Sequence, residues 1–546
     1  MKIFKLIISV SFVGTSILNS QNIQEVSNKN LLTNEEAIAD INYLIDLLDD
    51  THPDPFSGIG GRVAFQLKAR ELAEAVPAEG ISQMDLYNLI NPFVCDLKDG
   101  HTYLLNPSAP SNPRSNSFLP VRFRIANDAI FVSETQKPYD SLLGYRVTGA
   151  AGLSLNELRS KVSAIFASEN KFAASRRVIL YLQNSSYANL LKDDIDDEVS
   201  VSLLNEAGDS LNVTFTYSDR DKNNWIVSKW IGTNWNKNTR PTPFYYKIWP
   251  ESNAAYLRIS TVMAREAFDY MKAKGRTDID SFLDQFYKNH LHKERSSTLD
   301  LAIANVPSLT EITSQLLKEM KQRNVNNLII DLRGNDGGWS SIAKPFYYML
   351  AGDNYFDIED PIFFATRMSE SFLNIIGSTL DEYNKKNNSN YLLGDLIVNK
   401  FDENYSKQKL REQYLGELVE NNVSSMKYID KLDGKPLYSP QLFVLTDPGT
   451  FSAAYDMAYQ LWRLGAKLVG VSPAQAANSF VDGTMYKLPF SKLEGRLSRT
   501  IVVYPGVPEE NHAFIPDFPM KWSDYRKYNY DLESEVLYIL DLIKEY

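Results

Sequence analysis

The chain has 546 residues, with 57 Lys+Arg against 68 Asp+Glu and a formal net charge of −11. At about 150 residues per domain this length implies several domains, and the acidic balance argues against nucleic acid as the main partner, because phosphate binding needs clustered cations. A composition of 44% hydrophobic and 23% charged residues excludes a chain-wide disordered or collagenous protein, and the single Cys95 excludes an internal disulfide or a cysteine-based zinc site.

Lys2 and Lys5 precede a short apolar run at residues 6–13, followed by small and polar residues through Ser16 and Ser20. This pattern predicts a signal peptide over residues 1–20. The run is shorter than the roughly 20 apolar residues of a membrane span, and no later stretch predicts a transmembrane segment. The expected location is exported, periplasmic or extracellular, with membrane association left open.

Residues 30–110 predict an N-terminal helical domain. Thr33 and Glu36 form a capping box, and Ala37, Ile41, Leu44, Ile45 and Leu48 repeat at helical spacing. Further helices are predicted over 63–74 and 82–93. Residues 115–220 change to β-branched, alternating stretches with one helix over 153–162, a mixed α/β or mostly β module. Its acidic run Asp193, Asp194, Asp196, Asp197 and Glu198 lacks the order of a calcium loop and is read as solvated. Trp225, Trp230 and Trp235 fall in a segment, 221–249, read as a linker with packing anchors, an aromatic ligand platform being the alternative. Residues 384–390 are low-complexity and predict a mobile loop or insertion.

Residues 250–546 read as a layered α/β domain. Residues 328–332 form an unbroken apolar run, a buried strand, followed by the turn Arg333-Gly334-Asn335-Asp336-Gly337-Gly338 and a helix over 340–350. Residues 442–446 form a second buried strand, followed by the turn Asp447-Pro448-Gly449-Thr450 and a helical face of Ala453, Ala454, Met457, Ala458, Leu461 and Trp462. Each turn delivers the chain to a helix N-terminus, where unpaired amides favour negative charge. On these grounds a phosphate cradle and an oxyanion hole are equally open. Ser452, at the start of its helix, suits an N-cap or a nucleophile. Five histidines are available as a base: His52, His101, His290, His292 and His512. His52 lies in a His-Pro helix end. His290 and His292 could share a strand face, but Glu294 is their only nearby metal ligand. Spacing alone does not select His101 in Asp99-Gly100-His101-Thr102.

The turn at 331–338 resembles the DLRxNxGG signature of the tail-specific, or C-terminal processing, serine peptidase family. Thr450-Phe451-Ser452-Ala453-Ala454 is similar to its nucleophile motif, and His512-Ala513-Phe514-Ile515-Pro516-Asp517 to its closing segment. The resemblance implies a ClpP/crotonase-like catalytic domain over 250–546. A middle module in this family is often PDZ-like. The Ser–Lys arrangement of one branch is disfavoured, because residues 471–480 contain no lysine. The branch similar to the tricorn protease core implies Ser452 as nucleophile, His101 as base and Glu510 as orienting acid, with Glu509 as fallback. Where that core carries a hydroxyl residue just before the histidine, this chain has Gly100. The implied oxyanion donors are the amides of Ala453 and of Gly337 or Gly338. Together these imply an exported serine endopeptidase acting on a peptide or protein substrate without metal or organic cofactor. The alternative is a non-catalytic ligand- or peptide-binding protein on the same fold.

Overall fold

The computed structural model describes residues 31–107, 117–188, 190–191, 197–218, 225–226, 243–357, 362–398, 406–421 and 423–545. The predicted signal peptide, Trp230, Trp235 and most of the acidic run lie outside them. Among the described residues no helix is long and apolar enough to cross a membrane.

A six-stranded sheet organises the C-terminal half. Its order is Phe518–Pro519, Lys467–Gly470, Gln441–Thr446, Asn327–Asp331, Ala254–Ile259 and Phe244–Trp249, and only the last neighbour runs antiparallel. The strand Phe244–Trp249 takes the end of the predicted linker into the sheet, since its hydrophobic residues pair along Ala254–Ile259. The central strands are apolar on both faces because both are covered. Leu328, Ile330, Leu442 and Val444 face one core with the helices Leu309–Arg323 and Ala453–Arg463. Ile329, Phe443, Leu445 and Val469 face the other, against Tyr525, Val536 and Ile539 near the C-terminus.

The N-terminal helices Asn34–Thr51, Arg62–Glu74 and Gln83–Cys95 pack a core of their own. The capping box of Thr33 and Glu36 is formed. This core extends onto Tyr486, Leu488, Leu493 and Leu497 of the long hairpin Asn478–Lys487 and Glu494–Val503. The middle module is a sheet of Val121–Ile125, Ile130–Gln136, Arg146–Ala150, Glu198–Leu204 and Ser210–Thr216, with helices Leu155–Ile165 and Lys171–Gln183. Its core includes Val471 and Ala513 of the C-terminal half. The module is thus fused to that half by shared apolar burial.

Two sequence expectations change. Residues 384–387 are not a loop but the last turn of the helix Leu380–Asn387, which has a capping box from Thr379 and Glu382 and whose buried Tyr383 packs on Phe372; only 388–390 form a turn beyond it. His290 and His292 share no strand face. Tyr287–Leu291 is a π-helical turn and His292 ends it in the left-handed region, and among the described residues neither histidine belongs to a group with metal-ligand spacing.

A buried ionic network holds the end of the strand Asn327–Asp331. Asp331 accepts from Tyr256 Oη at 2.7 Å, Arg258 Nη1 at 3.0 Å and Arg333 Nη2 at 2.7 Å. Arg333 continues to Glu533 at 2.9 Å and Glu535 at 2.8 Å, and Arg124 of the middle module reaches Glu535 at 2.5 Å. Burial pushes the Asp331 and Glu535 carboxyls up, but the guanidinium pairs outweigh it and hold both below their ordinary values. That stability is complete above the ordinary carboxylate range and is lost as the pH falls through the lowered values. Arg333→Met removes the cation shared by Asp331, Glu533 and Glu535, leaving Arg258 to Asp331 and Arg124 to Glu535. We expect it to cost about 3–5 kcal/mol at pH 7 by chemical denaturation, with the difference from wild type shrinking below about pH 4. A pH-independent difference would contradict the ionic origin.

Candidate active site

Adjacent parallel strands bring two turns together. Asp331 registers with Leu445, so the turns after Asp331 and Thr446 leave the same edge of the sheet. They are cross-bonded. Phe451 N–H donates to Asn335 O at 3.0 Å, Thr450 Oγ1 to Leu332 O at 3.0 Å, and Gly334 N–H to Asp447 Oδ1 at 2.7 Å. Ser452 stands at the N-cap position of the helix Ala453–Arg463, yet its hydroxyl makes no cap hydrogen bond. Its backbone is held at φ 55° and ψ −125°, a conformation costly for any residue but glycine. Its N–H donates to Gln475 Oε1 at 2.6 Å, which leaves the buried Nε2 of Gln475 without a partner. A strained strand-to-helix turn with an uncommitted hydroxyl is how a nucleophile is presented.

His101 comes from the turn after the helix Gln83–Cys95. The turn is built on Asp99, whose Oδ1 accepts the His101 N–H at 2.8 Å and whose Oδ2 accepts Thr102 Oγ1 at 2.5 Å. His52 Nδ1 accepts the Asp54 N–H, so its Nε2 donates to Asp99 at 3.1 Å. His101 is buried and stacks on Phe451, the neighbour of Ser452, with ring centroids 4.8 Å apart. The stacking brings the imidazole beside the residue that precedes Ser452, and no hydrogen bond joins the ring to the Ser452 hydroxyl. Burial lowers the His101 pKa to about 4, helped by the Arg496 cation and opposed by Asp99 and the Phe480 carbonyl. The ring is therefore neutral at pH 7, the state a general base needs. Arg496 is itself buried, with the Tyr103 hydroxyl beside its guanidinium. Asp482 and Asp99 supply opposing charge.

The remaining residues implied by the resemblance are distributed unevenly. Gly337 N–H is taken by Asn335 Oδ1 at 2.9 Å, which leaves the Gly338 and Ala453 amides as the uncommitted pair beside Ser452. Glu510 lies exposed in the small hairpin Glu509–Glu510 with Ala513–Phe514, and makes no hydrogen bond or ion pair with His101. Glu509 meets His512 at 3.5 Å. The hairpin is tied to the neighbouring chain by a bridge of Ala513 to Ala476 and by Phe514, which packs on Tyr455 and Trp462 of the helix after Ser452.

Sequence reasoning missed Glu169. It precedes the helix Lys171–Gln183 of the middle module, in no motif. Its buried carboxylate accepts Gly100 N–H at 3.0 Å, Ala476 N–H at 2.7 Å and Ser479 Oγ at 2.8 Å. Asp99, His101 and Glu169 have ligand atoms within 4.8 Å of one another, the spacing of a metal cluster. Each carboxylate oxygen of the trio accepts at least one N–H or O–H from the protein, which fixes both carboxylates in place. The trio has the character of an acid–histidine network.

Gly337 has φ 101°, and a Cβ there would lie 2.8 Å from Ala453 N and from Ser452 Cβ. Gly337→Ala is expected to displace the nucleophile turn, lowering stability by about 1–3 kcal/mol in chemical denaturation and abolishing covalent labelling at Ser452. A stable, fully labelled variant would show that the close approach is dispensable.

No family model matches the chain, and no curated protein matches it significantly. Solved structures do. Mature CPAF complexed with lactacystin is 14% identical with a TM-score of 0.55, over 94% of this chain and 99% of that one. A mutant of CPAF is 14% identical with a TM-score of 0.54, over 94% and 97%. Mature CPAF is 14% identical with a TM-score of 0.51, over 93% and 98%. The multidomain α/β architecture of this chain is therefore that of CPAF along nearly its whole length.

Proposed function

We propose that the chain is a serine peptidase of the tail-specific type that cleaves peptide bonds by acyl transfer. The observation that carries this reading is the strained Ser452, its hydroxyl uncommitted, in one crevice with a neutral, buried His101. Ser452 Oγ attacks the substrate carbonyl as His101 takes its proton. The imidazolium then returns that proton to the leaving amine, and water repeats the sequence to release the acyl group. The uncommitted Gly338 and Ala453 amides are assigned as the oxyanion donors, where loss of one donor typically costs about 10²–10³ in rate. Hydrogen bonds between base and nucleophile commonly tighten when substrate enters, which accommodates the unbonded pair. Glu510, the acid implied by the resemblance, is exposed and has no bond to the ring. The pattern at residues 1–20 supports export, which fractionation of the producing cell would test.

A fluorophosphonate probe is expected to label native protein at Ser452, and Ser452→Ala to lose both labelling and peptide hydrolysis. Folded wild-type protein that resists the probe would favour a binding role on this fold. The acid limb of kcat/KM is expected near pH 4, because activity falls as His101 gains its proton. Arg496→Met removes the cation beside the ring and is expected to move that limb upward. An unmoved limb would mean that Arg496 does not control the base.

A further inference from the structure

We infer that Glu169, contributed by the middle module, is the positioning acid of His101, in place of a carboxylate from the closing segment. This deepens the peptidase reading and rests on it. Three observations carry the assignment. First, Glu169 is 7% exposed and has a carboxylate oxygen within 4.8 Å of a ring nitrogen of His101, whereas Glu510 is exposed to solvent in the hairpin Glu509–Glu510. Second, the carboxylate is fixed from both walls of the crevice. Gly100 N–H holds it from the turn of the histidine, and Ala476 N–H from the residue next to Gln475, which holds the Ser452 amide. Third, Gly100 makes the room. A Cβ at that position would lie 2.8 Å from Glu169 Oε1 and 3.0 Å from Phe451 Cζ. Where the tricorn-like pattern has a hydroxyl beside the histidine, this chain has no side chain, and a carboxylate stands in that space.

The chemistry follows from burial. A lone carboxylate is costly here: desolvation and the Asp99 charge push Glu169 up to about 8. An imidazolium formed beside it relieves that cost, so the interaction strengthens as His101 takes the Ser452 proton. Glu169 exchanges no proton with the substrate. The other groups acting on the ring are Asp99 on its own turn, with His52 behind it, and Arg496 from the long hairpin, with Asp482 and Tyr103 beside that cation.

The test compares Glu169→Gln, Glu169→Asp and Glu510→Gln in the full chain, with melting curves to verify folding. Glu169→Gln is expected to lower kcat by about 10²–10⁴-fold with KM little changed, to a far greater extent than Glu510→Gln. Wild-type kcat/KM is expected to show, above the His101 limb near pH 4, a second rise around pH 8 as Glu169 ionises; that second rise is expected to vanish in Glu169→Gln while the first remains, and Glu169→Asp to restore part of the rate, whereas a merely structural role would leave the pH profile unmoved. A folded Glu169→Gln with wild-type kcat, or a larger loss in Glu510→Gln, overturns the assignment. Should Glu169→Gln fail to fold, a Glu169→Asp profile identical to wild type overturns it equally. Retained hydrolysis in Ser452→Ala would instead overturn the underlying peptidase reading, and this inference with it.

Discussion

Asn335 is the joint on which the site depends. Its side chain is completely buried and spends both ends on backbone: Nδ2 donates to Ile259 O at 2.9 Å, and Oδ1 accepts the Gly337 N–H at 2.9 Å. Its own carbonyl accepts the Phe451 N–H at 3.0 Å. One residue thus ties the end of the strand Ala254–Ile259, its own glycine turn and the nucleophile turn. Buried backbone groups at three strand ends need partners, and no regular ladder reaches them. The arrangement also decides which amides stay free, since the hydrogen bond that fixes Gly337 removes it as a donor to substrate.

The strain at Ser452 persists because of this joint. Phe451 is held by Asn335 and Ser452 N–H by Gln475, so relaxing the Ser452 backbone would break hydrogen bonds on both sides. Buried hydrogen bonds left unmade cost about 1–3 kcal/mol each, comparable to the strain they oppose. The same residues stack Phe451 on His101 and so carry the geometry from the sheet to the N-terminal unit.

Electrostatics in the crevice are collective. Asp99, Glu169, Arg496 and His101 are all buried, and no single pair neutralises the group. Burial lowers His101 and raises Glu169, whereas Asp99 is held low by His52 and His101 despite its burial. Groups pushed apart in this way divide acid and base roles near neutral pH. The middle module enters this balance directly, because Glu169 and the Asn170 cap, whose Nδ2 reaches Pro473 O at 3.1 Å, plug into the C-terminal half. Its role therefore extends beyond any capacity to bind peptide ends.

The sequence by itself determined the elements whose signal is local. Alternate residues of 328–332 and 442–446 are apolar on both faces because both faces are covered, and the glycine turns follow where a left-handed backbone is needed. Thr33 and Glu36 cap their helix as the pattern requires, and Ser452 stands at the start of its own. Where local signals were weak the reading failed: the polar residues 384–387 contribute to a capped helix because Tyr383 finds a buried partner. Only the tertiary structure decided that Ser452 would not cap, that Asn335 would consume the Gly337 amide, that Glu510 would face solvent and that Glu169 would lie beside His101. Burial and hydrogen-bond saturation depend on neighbours delivered from distant segments, and a lone glutamate 69 positions from the glycine it binds leaves no periodicity to read.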